Sequence, residues 1–293
     1  MWGMTDTVDV LGIAVSEELL GRWADWFAPD AQPFDVPADS PVARGGGPFT
    51  PDAEPELRDT FELYGVPTDR VCRSLTADEF SALPRSERGR LVRARAGRSL
   101  ALAPAVRAWP ALRSAGIVGQ ADGHRFAWWP ELLRGREREV LVPFVEEGRR
   151  ASRHREVPSS VWSAISTLLP AARQLAGTFP EGSGPNCFAT VMAAAGKEGV
   201  ASTWMLREPF EEWLADTTRP GGRDDDPGTV LVWRSTSGAV QHAAVTLGGG
   251  WAMHKPSQGW MSPVKVLTVR DVIVSARAAD RRISRRSLAS TTS

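Results

Sequence analysis

Residues 241–259 read Gln241-His242-Ala243-Ala244-Val245-Thr246-Leu247-Gly248-Gly249-Gly250-Trp251-Ala252-Met253-His254-Lys255-Pro256-Ser257-Gln258-Gly259. The first seven alternate loosely between apolar and polar. Three glycines then supply a turn, and Trp251-Ala252-Met253-His254 begins a return strand. Just upstream, Pro227-Gly228 makes a turn before the apolar run Thr229-Val230-Leu231-Val232-Trp233, a further strand. His242 and His254 therefore lie twelve positions apart, on two strands joined by a tight turn. A strand–turn–strand of this length can bring both imidazoles to one end or one face of a sheet. The chain has only four histidines, and two fall in this spacing. Taken singly, each has an ordinary reading as a satisfied histidine of a β-sheet.

Working outward, Gly182-Ser183-Gly184-Pro185-Asn186 is a turn that runs into Phe188-Ala189-Thr190-Val191-Met192-Ala193-Ala194-Ala195, a helix pattern. Cys187 stands at the helix start. Unpaired N–H groups and the positive dipole end stabilise a thiolate there, and the same groups can line an oxyanion hole. The commoner fate of a lone cysteine is to be buried and inert, and Cys72, in the stretch Arg70-Val71-Cys72-Arg73-Ser74-Leu75, fits that fate. With Cys187 as nucleophile, His242 would take its proton and His254 would fix the far ring nitrogen of His242. A zinc site from the same three residues would lack any compact ligand pair such as CxxC or HExxH, so neither a metal nor an organic cofactor is predicted.

This order of features resembles the NlpC/P60 cysteine peptidases of the papain-like superfamily. The segment HAAVTLGGGWAMHKPSQG is similar to their HVGIYLGNGxxIHAPxxG pattern, and GPNCFATV to their fDCSGLV segment. The resemblance covers about residues 175–275. It implies that Cys187 is the nucleophile, His242 the general base and acid, and His254 the orienting third residue. It also implies a small antiparallel sheet with the nucleophile helix packed on it. The chain has Asn186 where the family has Asp, Phe188 where it has Ser, and Phe179 with no tyrosine in the upstream segment before the cysteine. In peptidoglycan-cleaving members that Asp and Tyr help bind a free amino terminus, so free muropeptides are expected to be poor substrates. Asn186, Gln241, Trp251 and Trp260 are the residues expected to touch substrate.

Composition sets the rest. The 293 residues carry 35 basic and 35 acidic side chains, which gives no global reason to bind nucleic acid or an anionic membrane. Two cysteines cannot build a disulfide framework, no apolar run is long enough to span a bilayer, and no secretory signal is read at the N-terminus, so a cytoplasmic address is expected. The chain has 12 Trp, one Tyr (Tyr64) and only three lysines.

The expected organisation is α+β. A mainly helical region over 1–155 holds a helix at 16–27 capped by Ser16, an irregular Pro/Gly-rich segment at 29–56, a capping box at Thr76–Glu79, an Arg-rich helix at 86–96 and a strand at 123–130 leading into a helix. A papain-like NlpC/P60-type domain follows over 156–276, with a helix at 157–176 kinked or broken at Pro170, and then a basic flexible tail over 277–293. The predicted function is a cysteine-dependent hydrolase that attacks an amide, peptide-like bond through an acyl-enzyme on Cys187. A thiol-dependent acyltransferase and a non-catalytic binding or toxin-delivery module are the alternatives. The predicted partner is a peptide-like or acyl small molecule.

Overall fold

The computed structural model describes residues 7–115 and 124–289. The chain forms two compact units. One comprises Met1–Val8 and Val15–Glu147, the other Asp9–Ala14 and Gly148–Ser293. The architecture is mixed α and β. Among the described residues no helix is long and apolar enough to cross a membrane.

A hairpin of β1 (Thr7–Val10) and β2 (Ile13–Ser16) opens the described chain. Its two-residue turn, Leu11-Gly12, has both residues at positive φ (55° and 77°), the backbone that matches the twist of a hairpin. Helix α1 (Glu17–Phe27) follows, with the Ser16 hydroxyl accepting from the Leu19 N–H at 3.2 Å, and it buries Leu20, Trp23 and Phe27 on one face.

The segment expected to be irregular over 29–56 is instead largely ordered. It contains β3 (Ala31–Pro37), α2 (Pro41–Arg44) and β4 (Gly47–Pro48), and α3 (Pro55–Phe61) follows at its end. With β5 (Arg70–Thr76) these strands form a sheet of order β3-β5-β4. Pro33 and Pro37 are tolerated because β3 is an edge strand with one neighbour, paired from Ala31↔Thr76 to Pro37↔Arg70. Helix α4 (Ala77–Ala82) carries the expected capping box, with Thr76 and Glu79 each bonded to the other's backbone N–H.

The Arg-rich helix α5 (Arg85–Arg98) turns Leu91, Val92 and Arg95 inward. The strand expected before residue 130 is reduced, among the described residues, to a single bridge, Ala105↔Arg125. Phe126 to Trp129 instead run as a buried extended segment into α6 (Pro130–Leu133), and α7 (Glu137–Glu146) ends the unit. The backbone there is bonded to the 104–106 segment by the Val106 N–H to the His124 carbonyl at 2.9 Å and the Phe126 N–H to the Pro104 carbonyl at 3.2 Å, which makes a bridge and not a ladder.

In the second unit the expected long helix at 157–176 is broken. Helix α8 (Ser159–Ala164) stops before Pro170, and α9 (Ala172–Leu175) restarts after it. Helices α10 (Cys187–Ala194) and α11 (Arg207–Thr217) lead to the strands β6 (Thr218–Pro220), β7 (Thr229–Ser235), β8 (Val240–Gly248), β9 (Trp251–His254) and β10 (Lys265–Thr268). Helix α12 (Val269–Ser275) and β11 (Arg281–Leu288) complete the unit.

The sheet has the order β10-β9-β8-β7-β11-β6 and is antiparallel throughout. The expected flexible tail is therefore wrong over 281–288: β11 lies inside the sheet, paired with β7 on one side and β6 on the other. Two of its arginines are anchored rather than solvated. Arg285 makes a two-pronged contact with Asp224 at 2.7 and 3.0 Å, and Arg286 donates to the Thr218 hydroxyl at 2.6 Å.

The pleat divides the sheet into two buried faces. Val230, Val232, Ala243, Val245, Met253 and Val266 pack with α10. Leu231, Trp233, Ala244, Ala252 and Leu267 pack on the other face with Val269 and Val272 of α12.

Candidate active site

Cys187 is the first residue of α10. Asn186 precedes it with extended backbone, its side-chain oxygen accepting from the Ala189 N–H at 3.1 Å. Its amide donates to the Met205 carbonyl at 2.8 Å. Asn186, expected to touch substrate, is thus engaged as a helix cap. All eight residues of α10 are buried, as a helix apolar on nearly every side requires.

The Cys187 sulfur meets the backbone N–H groups of Ala243, Phe188 and Cys187 itself, which favour a thiolate, and the Lys255 ammonium adds to that pull. Burial outweighs them and pushes the thiol up to about 11. The helix start was expected to give a thiolate at neutral pH. It instead holds a protonated thiol, because the sulfur is enclosed by the core. Cys72 is also buried, and its thiol is raised by burial first and by the nearby Asp35 carboxylate second.

His242 and His254 do come together. Their rings meet edge-on with centroids 5.8 Å apart. His242 is paired in register with Trp233, and those rings lie 5.2 Å apart. His254 is paired with Lys265. Burial drives His242 down to about 4, with Arg281 adding to the shift, and holds His254 well below its ordinary value, with His242 and Lys265 adding. Both imidazoles are neutral at pH 7. The His242 Nε2 and both ring nitrogens of His254 are buried without a hydrogen-bond partner, an arrangement that costs about 1–3 kcal/mol per group.

The expected hydrogen bond between Cys187 and His242 is not formed. The sulfur reaches the peptide that joins His242 to Ala243, since the Ala243 N–H points at it. The His242 ring, however, sits with Trp233, on the face away from Ala243 and α10. The cause is the pleat: His242 and Ala243 are adjacent in unbroken register with Trp233 and Val232, so their side chains take opposite faces. A register shift follows between Trp233 and Arg234 and leaves Gln241 as an extra residue between the paired Val240 and His242.

Gln241 is exposed at that irregularity. Trp251 is half-buried, with the Arg153 guanidinium 4.9 Å from its ring centroid. Trp260 is fully buried, so its ring does not line an open groove as expected. No group of three or more metal-ligating side chains occurs among the described residues.

A cleft of about 380 Å³ opens beside α10. Phe179, Pro185, Thr190, Ala193, Lys255 and Val264 are among its walls. Lys255 is the group that sequence reasoning missed. It is 1% exposed, and its ammonium donates to the Ser257 and Gly259 carbonyls at 2.6 and 3.2 Å. The available signal was a lysine directly after His254 in a chain with only three.

Comparison of the chain with protein-family models, with curated proteins and with solved structures returns no match.

Proposed function

We propose that the second unit is a cysteine-dependent hydrolase of NlpC/P60 type, on a papain-like domain, acting on amide, peptide-like bonds. The observation that carries this reading is the meeting of the Cys187 sulfur, at a helix start, with the peptide after His242, while His242 contacts a second buried histidine. Buried ring nitrogens without partners have no structural benefit to explain them, and such groups concentrate at reactive sites.

In this reading the resting pair is neutral. When substrate enters, the bulged backbone at Gln241 rearranges so that the His242 side chain turns from the Trp233 face of the sheet to the face that carries the sulfur. Sγ attacks the carbonyl carbon as the thiol proton passes to imidazole, and the carbonyl electron pair moves onto oxygen. The backbone N–H groups at the helix start stabilise that oxyanion. The tetrahedral intermediate expels the amine, which takes the proton from His242. Water, deprotonated by His242, then attacks the thioester carbonyl; the C–S bond breaks, and the sulfur takes that proton back from His242 as the acid leaves. An amine or alcohol in place of water would give acyl transfer.

The raised thiol pKa and the absent Cys187–His242 hydrogen bond favour a second reading, a non-catalytic binding module on the same fold. Turnover on a panel of acyl-amides, acyl-thioesters and muropeptides separates the two. The hydrolase reading expects Cys187→Ala to lower turnover at least ~1000-fold and His242→Asn ~100-fold or more, with muropeptides the poorest substrates. Turnover that survives Cys187→Ala overturns it, and no turnover on any substrate leaves the binding module. In either reading the resting thiol should be slow toward iodoacetamide at pH 8. A value near 11 instead of 9 means ~100-fold less thiolate, checked by mass spectrometry of Cys187 in native and urea-unfolded protein.

A further inference from the structure

We propose that the first unit binds one small monovalent anion of the halide class, in the recess that Arg95 and Arg98 of α5 share with Phe34 of β3 and Phe61 of α3. The inference does not depend on the hydrolase reading, because all of these residues lie in the other unit.

The charge is unbalanced. Arg95 is 7% exposed, so its guanidinium is largely out of water. An arginine is almost never buried so far without an opposite charge beside it. Its hydrogen bonds go to neutral acceptors, the Gln32 side-chain oxygen and the Pro33 carbonyl, the latter at 2.8 Å. Gln32 is itself fully buried and its amide donates to the Trp128 carbonyl, which leaves its oxygen for Arg95. Those two bonds use two of the five N–H donors of a guanidinium. The rings of Phe34 and Phe61 lie 4.0 and 4.5 Å away, but an aromatic face offers a quadrupole and not a full charge. Among the described residues Arg95 makes no ion pair. The one carboxylate lining the recess, Asp35, is already shared between Arg70 and Arg98. Arg70, Arg95, Arg98 and Asp35 therefore bring three positive charges to one negative. Burial, with Arg98 repelling, lowers Arg95 only to about 9, so its charge is present at pH 7.

The recess gives the missing charge a place and limits its size. Its volume is about 30 Å³, room for one or two water-sized particles. A chloride or bromide ion is of that size, whereas a phosphate, a sulfate or an organic acid is too large to enter fully. Leu63, Leu91 and Ala94 contribute apolar wall, so the field of the guanidinium is weakly screened inside. An ion that sheds its water easily enters such a wall at the lower cost, which favours bromide and chloride over fluoride.

The test titrates full-length protein with sodium chloride, sodium gluconate making up a constant ionic strength of roughly 0.2 M so that general screening does not change. The chloride NMR line width reports binding, and urea unfolding reports its consequence. The protein should broaden the chloride line, and bromide should reverse the broadening where fluoride does not. Chloride at ~0.1 M should raise the folded-to-unfolded ratio of the first unit ~10-fold over gluconate, as a dissociation constant of ~10 mM requires. Arg95→Met should remove most of the broadening and the stabilisation by chloride. Ala94→Trp, which enlarges an exposed residue of the recess wall, should fill the recess and do the same, and it covers the case in which Arg95→Met does not fold. No broadening by the unaltered protein, equal competition by fluoride, equal stability in chloride and gluconate, or broadening that persists in Ala94→Trp overturns the proposal.

Discussion

Arg95 in the first unit and His254 in the second are both buried side chains that can carry a proton, and the chain treats them oppositely. The Arg95 guanidinium is bonded to the Gln32 side-chain oxygen and to the Pro33 carbonyl, the latter at 2.8 Å. It also lies over the rings of Phe34 and Phe61, at 4.0 and 4.5 Å from their centroids. Burial, with Arg98 adding, lowers it to about 9, and it stays charged at pH 7. His254 has no partner on either ring nitrogen and stays neutral. A buried polar group that has been given partners is holding the fold together. One that has not been given partners carries the cost of its desolvation without a hydrogen bond to offset it.

The largest effect that tests this contrast is on Arg95. Arg95→Met removes two charge-assisted hydrogen bonds worth roughly 2 kcal/mol each, so the first unit should lose about 4 kcal/mol in urea denaturation. A loss below about 1 kcal/mol would mean the guanidinium is not structural.

The next effect is on pH dependence in the second unit. His242 titrates near 4 when folded and near its ordinary 6.5 when unfolded. The unfolded chain therefore binds more protons between those values. Stability is fully present above about pH 6.5 and falls as pH drops toward 4, by about 3 kcal/mol at 1.36 kcal/mol per pH unit. His254 acts in the same direction. Denaturant midpoints at pH 7.5, 6 and 5 should decline, and His242→Gln should flatten the decline. A flat profile for the unaltered protein would place His242 in water.

The smallest effect sharpens the comparison most. His254→Leu removes two buried nitrogens without partners, and should leave stability unchanged or raise it by about 1 kcal/mol. In the hydrolase reading the same variant loses turnover. A loss of more than about 1 kcal/mol would mean that His254 is held by the fold as Arg95 is.

Much of this could be read from the sequence where the signal was local. Ser16, the Thr76–Glu79 box, the break at Pro170, the helix start at Cys187 and the turn at Gly248–Gly250 each depend on a few adjacent residues. What was misread depends on partners far along the chain. The string Arg281-Arg282-Ile283-Ser284-Arg285-Arg286 looks like a solvated tail until Asp224 and Thr218 are placed beside it. The prolines of β3 look like a loop until its position at a sheet edge is known. For the candidate site, the spacing of His242 and His254 was enough to bring them together. It did not fix the face they take, because that depends on which of the alternating residues of β8 meet α10, and Ala243 does while His242 pairs with Trp233. Nor could it give the state of Cys187, which depends on enclosure by residues from several other elements.

The place of β11 also sets when the sheet can be completed as the chain is made. Strand β6 has β11 as its one neighbour in the sheet, and Pro220 is made 61 residues before Arg281 (281 − 220). At roughly 5–20 residues per second, β6 waits on the order of 3–12 s as an unpaired ribbon beside the ribosome. Once β7 has been made it presents a bare edge until β11 follows, and the hairpin at Gly248–Gly250 can close before the sheet does.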